Sequence, residues 1–187
     1  MNTTNNLGAS IFQGRANRIE TERLIIAPLT REESELYLTD VDAFARALRL
    51  AKAPNEPDEG TKRALNWLID LGLQYDQKSS VWAALWAFVD KRLNVVVGNA
   101  CFKGEPINGD AEIGYGTECE FQNCGYMSEG VKGLVSWGRR RDDLRGIVAE
   151  TLKDNIPSQR VLENAGFVRL GEGKSEKDAF FWRIDVK

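Results

Sequence analysis

The sequence has 187 residues, of which 42% are hydrophobic and 28% are charged, the size and composition of one globular domain with its own core. The formal net charge of −3 argues against a nucleic-acid-binding surface, and no apolar run is long enough to span a membrane. The chain contains no histidine, which excludes the usual Ser-His-Asp and Cys-His catalysis and removes the commonest metal ligand. Proton transfer would therefore use carboxylates, tyrosine, lysine, water or the substrate itself, and we expect no metal.

Residues 1–20 are predicted to form a flexible tail, and residues 21–187 a single domain. The beginning of the tail is polar and lacks the basic start and apolar stretch of a signal peptide. The three cysteines, Cys101, Cys119 and Cys124, show neither a disulfide framework nor a metal-binding spacing. Reduced thiols in a cytoplasmic protein are the simplest interpretation. Cys124 is then either inert or, at a helix start, favoured as a thiolate.

The first half of the domain is predicted to combine one strand with three helices. Residues 21–28 are predicted to form a first strand that is ended by a proline. Thr30 and Glu33 form a capping box for a helix that begins just after Thr30. Residues 61–75 carry an apolar stripe at helical spacing, and residues 42–50 are predicted to form a short helix before them.

Three strands are predicted to follow the helices, over residues 81–89, 95–102 and 111–116. The turn before the last of them contains Asn108-Gly109, a strong hairpin signal. Aromatic side chains alternate along the first of these strands, which indicates a core face rather than a base-stacking platform. These side chains are Trp82, Trp86 and Phe88.

The last third of the chain alternates helices and strands, beginning with a helix over residues 129–141. The other predicted elements are a strand at 147–152, a helix at 155–165, and strands at 168–171 and 179–184. Gly166 ends the second helix in the left-handed conformation. This order predicts an α/β (α+β) fold with a mostly antiparallel mixed sheet and helices on both faces. The two strands that flank the 129–141 helix would be parallel, joined by a right-handed crossover.

The segment before the 129–141 helix has the features of a phosphate-binding turn. Gly125 permits a tight turn that aims consecutive backbone N–H groups outward, and the following helix adds its positive N-terminal end. Together they bind a phosphate without a positive side chain. The residues of this candidate site are Gln122, Asn123, Cys124, Gly125, Tyr126, Met127 and Ser128.

These residues resemble the acyl-CoA motif of the GNAT acetyltransferases, which is Gln or Arg, two residues, Gly, one residue, then Gly or Ala. Gln122 and Gly125 match the motif. Met127 stands where a small residue is usual, although the ribosomal-protein-alanine N-acetyltransferase branch of the family accepts it.

The wider pattern also resembles that branch. Ile113-Gly114-Tyr115 precedes the motif, and Asn155, Ser158 and Gly166-Phe167 follow it in the same order. The resemblance covers about residues 21–184, although the early helices match only in kind. It implies a GNAT fold and acetyl-CoA as a co-substrate without a metal.

The resemblance also implies how acetyl-CoA is bound. Its pyrophosphate would lie on the N–H groups of residues 123–128. Its pantetheine arm would lie in a gap between the strand of Ile113 and Tyr115 and the strand at 147–152, where the open strand edge supplies an oxyanion contact. Asn155 resembles the family residue that contacts the cofactor near the thioester, but Asn is equally a good helix N-cap.

Ser158 and Glu112 are the candidates for proton transfer. Ser158 resembles the residue of this branch that protonates the leaving thiolate, because Leu162 stands where other GNAT enzymes use Tyr. The alternative is a bond from Ser158 back to its own helix. Glu112 matches the acid that serves as base in many family members, and the alternative is a surface carboxylate. Glu118 and Glu120 are the second choices for the base.

We therefore predict an acetyl-CoA-dependent N-acetyltransferase in which a primary amine attacks the thioester directly. An α-amino group, with a pKa of about 7.7–8.0, is an easier nucleophile than lysine at about 10.4, which favours a peptide N-terminus or a small amine. The amine would enter between residues 31–75 and the loop at 171–179. Acidic residues of that loop would attract a cation or simply be solvated. They are Glu172, Glu176 and Asp178.

The alternatives are a non-catalytic acyl-CoA-binding module with a regulatory role, and an adapter that binds no CoA. We expect neither a nucleic-acid nor a membrane partner, and either a monomer or a homodimer.

Overall fold

The computed structural model describes residues 12–76, 79–175 and 177–187. Within these ranges the chain forms five α-helices and eight strands in one mixed sheet. In chain order the elements are β1 (Ile19–Glu20), β2 (Leu24–Pro28), α1 (Arg31–Thr39), α2 (Val41–Leu48), α3 (Glu59–Gly72), β3 (Leu85–Asp90), β4 (Val95–Phe102), β5 (Asp110–Thr117), α4 (Tyr126–Gly138), β6 (Gly146–Leu152), α5 (Ile156–Ala165), β7 (Val168–Glu172) and β8 (Ala179–Asp185). The strand order is β1-β2-β3-β4-β5-β6-β8-β7, and only β5 and β6 pair in parallel among these strands. The predicted mixed sheet is confirmed.

Helices cover both faces of the sheet, and each face has its own hydrophobic core. On one face, β2 and β3 pack against α1, α2 and α3. On the other face, the sheet packs against α4 and α5. The second core contains a cluster of aromatic rings whose centroids lie 4.9–6.0 Å apart, formed by Trp82, Trp86, Phe102 and Trp137. The predicted core role of Trp82, Trp86 and Phe88 is thereby confirmed.

Local sequence signals define the ends of two helices as predicted. Thr30 Oγ1 accepts from the N–H of Glu33 at 3.2 Å, and the Glu33 carboxylate accepts from the N–H of Thr30 at 2.9 Å. This capping box begins α1. Asn155 Oδ1 accepts from the N–H of Ser158 at 3.1 Å and caps α5, which ends at Gly166 with a φ of 91°.

The parallel strands β5 and β6 separate before they end. Their pairing runs from Asp110 to Glu112 on β5, whereas β5 continues to Thr117 and β6 to Leu152. Across its other edge β5 stays paired with β4 as far as Thr117. A gap between β5 and β6 therefore opens from Ile113 onward.

Residues 12–20 pack against the domain instead of belonging to the predicted tail. Phe12 is buried in the core beside α1 and α2, Arg15 forms an ion pair with Glu33, and Ile19 pairs with Ile26 in the sheet. Because this segment is mostly polar, its few anchoring side chains produce no periodic signal. Residues 1–11 of the predicted tail lie outside the described residues.

Further boundaries differ from the prediction. The 3₁₀ turn Ser80–Ala83 replaces the beginning of the predicted 81–89 strand. Residues 81–89 are buried throughout, so their sequence shows no alternation that would separate a turn from a strand. Helix α4 begins at Tyr126 rather than at residue 129, and it ends at Gly138 rather than at residue 141.

Candidate functional site

Gly125 forms the sharp turn that starts α4. It has a φ of 78°, and Asn123 has a φ of 59°, so both lie in the left-handed region. The Gly125 carbonyl accepts the first helical hydrogen bond, from the N–H of Glu129 at 3.1 Å. No described side chain caps this end, and the N–H groups of residues 126–128 therefore have no intrahelical partner. The turn presents consecutive donors at the positive end of α4.

A cavity of about 500 Å³ opens at this turn and extends toward α5. Arg160 is the one charged side chain among the described residues that line it. A cavity wall with a cation and without a carboxylate suits an anionic ligand. The predicted site residues in its wall are Tyr115, Gln122, Asn123, Gly125, Tyr126, Met127, Ser128, Asn155 and Ser158.

Two predicted cofactor-binding residues do not line this cavity. Cys124 belongs to the same turn, but its side chain points to solvent and its thiol contacts the Gln122 carbonyl at 3.4 Å. Ile113 is buried in the core between the sheet and the helices α4 and α5. Its backbone lies where the gap between β5 and β6 begins.

Ser158 and Tyr115 face each other across the space between α5 and β5. Their hydroxyl oxygens lie 2.9 Å apart, and the Tyr115 hydroxyl also donates to the Ser158 carbonyl at 3.1 Å. Burial raises the pKa of Tyr115 to about 12, although the hydrogen bond with Ser158 partly opposes this rise. The Ser158 hydroxyl thus contacts a group outside its own helix, whereas the alternative was a bond back to that helix. Its role as a proton donor stays a prediction.

Glu112 lies on the opposite face of the sheet from this cavity. Its neighbour Ile113 is buried against α4 and α5, and successive residues of a strand point to opposite faces. Glu112 forms an ion pair with Lys103, and 28% of its side chain is exposed. A base at this position would act on an amine that arrives from the face of α1 to α3.

The second-choice carboxylates hold the turn after β5 against the loop between α2 and α3. Glu118 accepts from Asn55 Nδ2 at 2.8 Å, and Glu120 forms an ion pair with Lys52 at 2.8 Å. Glu118 also accepts from the Tyr37 hydroxyl at 3.5 Å. Both carboxylates therefore connect the turn after β5 to neighbouring segments of the chain.

Glu150 on β6 is a carboxylate that the sequence analysis did not single out. Val148 pairs with Glu112 across the parallel strands, and Glu150 lies two positions further along the same face. Its carboxylate accepts from the N–H groups of Lys174 at 2.7 Å and Ser175 at 3.1 Å. It thereby holds the β7–β8 loop beside the gap. The available signal was a single carboxylate within a largely apolar strand.

The acidic residues of the β7–β8 region are only partly described. Glu172 forms an ion pair with Lys153, and the carbonyl of Asp178 accepts from the N–H of Lys153 at 2.9 Å. Glu176 lies outside the described residues.

Three further features concern metal binding, membrane spans and cysteines within residues 12–76, 79–175 and 177–187. Among those residues, no group of His, Cys, Asp and Glu is placed to hold a metal ion. Their helices include none that is both long and apolar enough to cross a membrane. Cys101, Cys119 and Cys124 are free thiols, and burial raises the pKa of Cys101.

Known proteins share the sequence pattern of this chain. Residues 23–168 match the family described as the acetyltransferase (GNAT) domain. The uncharacterized N-acetyltransferase YjdG of Bacillus subtilis (strain 168) is 36% identical over 84 residues, which are 44% of this chain and 50% of that protein. The match with this relative therefore spans half of its length.

Solved structures share the fold. The ribosomal-protein-S5-alanine acetyltransferase from Vibrio fischeri has a TM-score of 0.64 at 20% identity, covering 91% of this chain and 97% of that one. RimL, the ribosomal L7/L12 alpha-N-protein acetyltransferase in complex with coenzyme A, has a TM-score of 0.63 at 20% identity, covering 90% and 98%. Because the family match covers well over half of the sequence, this chain belongs to the GNAT acetyltransferase family.

Proposed function

We propose that this enzyme transfers the acetyl group of acetyl-CoA to a primary amine by direct attack within a ternary complex. The observation that carries the proposal is one cavity in which the uncapped start of α4 meets Asn155 and Ser158. The GNAT match supports acetyl-CoA as the donor, and a protein of the same fold is described in complex with coenzyme A.

The residues of the cavity fit the phosphates of acetyl-CoA. The N–H groups of residues 126–128 provide consecutive donors, and the α4 dipole favours negative charge beside them. Gly125 leaves space for close approach, because a Cβ there would meet only Arg23, at 3.5 Å, within 4 Å. Arg160 adds one positive side chain to the wall.

The gap between β5 and β6 fits the pantetheine arm. From Ile113 onward the β5 edge that faces β6 is not paired with it, so its backbone groups can bond to the amides of the arm. The N–H groups of the same edge would stabilise negative charge on the thioester oxygen during transfer. Tyr115 lies along this edge and lines the cavity.

Two side chains would move the protons. Glu112 accepts the proton that the amine loses as its nitrogen bonds to the acetyl carbon. The carbon–sulfur bond breaks, and Ser158, held by Tyr115, passes a proton to the departing thiolate and takes one up from water. These roles place the base and the acid on opposite faces of the sheet, with the acetyl group transferred between them.

An N-terminal amine or a small amine is the proposed acceptor. The lower pKa of an α-amino group, about 7.7–8.0 against about 10.4 for lysine, leaves more of it deprotonated at neutral pH. Two proteins that share this fold are described as acetylating an alanine of ribosomal protein S5 and the alpha-amino group of ribosomal protein L7/L12.

Release of CoA from acetyl-CoA, corrected for hydrolysis, tests the proposal with a panel of small amines and N-terminal peptides. We expect saturable turnover with at least one α-amine and slower turnover with lysine side chains. Tight binding of acetyl-CoA without turnover across the panel would instead favour the regulatory module. Leu162, which cannot donate a proton, stands where other GNAT enzymes have a proton-donating Tyr, and this keeps the alternative open. The absence of any binding would refute the site.

Gly125→Glu should strongly weaken the binding of CoA. The new side chain brings a carboxylate to the phosphate turn at a φ that side chains rarely adopt, and we expect the Kd to rise on the order of a hundredfold. Gly14→Glu is the matched control, because Gly14 has nearly the same φ, 77°, and nothing within 4 Å of an added Cβ. Calorimetric titration with CoA measures both, and an unchanged Kd in Gly125→Glu would refute the placement.

A further inference from the structure

We propose that Arg23, at the start of the second strand, is a positioning residue that keeps the phosphate-binding turn open to the phosphates of acetyl-CoA. The inference rests on the proposed function of that turn. Arg23 lies just before β2, about a hundred residues from the turn in sequence, and no part of the acyl-CoA motif includes it. It acts on the turn through three residues, Cys124, Tyr126 and Glu129.

The Arg23 guanidinium holds the turn by three kinds of contact. Its Nη1 donates to the Cys124 carbonyl at 3.0 Å. Its Nε donates to the Glu129 carboxylate at 2.6 Å. The guanidinium carbon also lies 4.2 Å from the centre of the Tyr126 ring, a distance at which a cation is attracted to the ring face.

The contact with Cys124 sets the direction of the next N–H group. A peptide unit is planar and trans, so its C=O and N–H point in opposite directions. With the Cys124 carbonyl directed at Arg23, the N–H of Gly125 points away from the guanidinium. Gly125 lines the cavity, and this peptide is therefore held with its donor available to a ligand.

The contact with Glu129 removes a competing charge. Glu129 lies in the first turn of α4, where the helix end attracts an anion and where the phosphate is proposed to bind. Its carboxylate accepts from Thr21 Oγ1 at 2.6 Å and from the Arg23 N–H at 2.7 Å, in addition to Nε. Without the Arg23 guanidinium the carboxylate would keep its bonds to Thr21 and to the backbone N–H of residue 23, but its charge would lose this ion pair beside the phosphate site.

Tyr126 connects the turn to the sheet. Its hydroxyl donates to the buried Asp90 at 2.9 Å, and its ring packs edge-to-face on Phe121 with centroids 5.8 Å apart. Arg23 covers the same ring. The start of α4 is therefore fixed on three sides by side chains, while its N–H groups face the cavity.

The test compares two acetyl donors, because the proposal concerns phosphates alone. Acetyl-CoA carries the phosphates, whereas S-acetylpantetheine has the same thioester and arm without them. In Arg23→Gln we expect the Kd for CoA and the KM for acetyl-CoA to rise about tenfold, the effect of one lost charged contact. We expect kcat/KM with S-acetylpantetheine to change by less than about twofold.

Two further variants separate positioning from general damage. Arg141→Gln is the matched control: Arg141 pairs with Asp143 and covers the Trp82 and Trp137 rings beyond the other end of α4, so its loss should leave the Kd for CoA unchanged. The double variant Arg23→Gln/Glu129→Gln should recover part of the lost affinity, because the competing carboxylate is gone.

The outcomes distinguish the inference from the proposed function. If the wild-type protein fails to bind CoA, the proposed function itself is wrong. If the wild type binds CoA and Arg23→Gln binds it equally well, the inference is overturned. An equal loss with both donors would also overturn it, because Arg23 would then support the fold rather than the phosphate site.

Discussion

The inward direction of Ser158 could be predicted from the sequence, but its contact with Tyr115 could not. The spacing of Ser158 from Val161 and Leu162 predicts that it faces inward, and it does contact β5. Its partner could not be predicted, because Tyr115 lies 43 positions earlier in the chain. Only the parallel pairing of β5 with β6, the strand that precedes α5, brings the two hydroxyls together. Burial raises the pKa of Tyr115 to about 12, further above neutral pH than that of a free tyrosine, so its hydroxyl carries a proton.

Removing either hydroxyl should slow catalysis without weakening the binding of acetyl-CoA. We expect Ser158→Ala to lower kcat on the order of a hundredfold, the lower end of general acid catalysis. Tyr115→Phe should lower kcat about tenfold, because Ser158 remains but loses the hydrogen bond that orients it. Steady-state kinetics with the best amine of the panel measures kcat and KM separately.

Ser136→Ala provides the control for this pair, since Ser136 lies exposed on the far side of α4. It should leave both constants unchanged. If Ser158→Ala retains full kcat, Ser158 only lines the cavity and the proton for the thiolate comes from elsewhere.

At the scale of elements, prediction succeeded where the signal is local. The Thr30–Glu33 capping box and the Gly166 terminus both lie within a few residues of the ends they define. It failed at the start of α4, because Tyr126 and Met127 are held by Asp90 and by the core rather than by a capping side chain. That early start is what places the three uncapped N–H groups in the turn.

The contacts of Glu129 join α4 to the segment just before β2. Their contribution to the free energy of unfolding should decrease as the pH falls. Burial alone would raise the pKa of Glu129, but hydrogen bonds from Thr21 and Arg23 outweigh it, and the pKa lies below the ordinary value of 4.5. A carboxyl whose pKa is lowered by folding contributes stability that is complete above its unfolded pKa and lost as the pH falls through the folded value.

The free energy of unfolding of the wild type should therefore fall more steeply than that of Glu129→Gln between about pH 5 and pH 3. Urea denaturation across this range measures the difference. Glu163→Gln, which removes a carboxylate from an exposed position on α5, should run parallel to the wild type. Parallel curves for Glu129→Gln would show that this carboxylate adds no stability on folding.

At the scale of the whole molecule, the site exists because the sheet brings distant segments together. The order of elements predicts the parallel pair and therefore the region of the gap, but the point where β5 and β6 separate follows from three-dimensional pairing. Three carboxylates have partners that are distant in sequence. Glu112 pairs with Lys103, Glu118 accepts from Asn55, and Glu150 accepts from the β7–β8 loop. Such contacts leave no periodic mark in a single sequence.

The close approach of α4 to the sheet should couple stability to acetyl-CoA binding. A Cβ at Gly130 would lie 2.1 Å from the ring of the buried Phe88, so Gly130→Ala must displace α4 or the ring. We expect a loss of about 1–3 kcal/mol in the free energy of unfolding, together with a higher Kd for CoA, because the phosphate-binding turn begins this helix. Gly60→Ala, at an exposed position near the start of α3, should leave the Kd unchanged and should not lower the free energy of unfolding, because Ala favours a helix over Gly. Urea denaturation measures the first effect and calorimetric titration the second. If Gly130→Ala is destabilised but keeps wild-type affinity for CoA, then Arg23 and Tyr126 hold the turn independently of how closely α4 packs on the sheet.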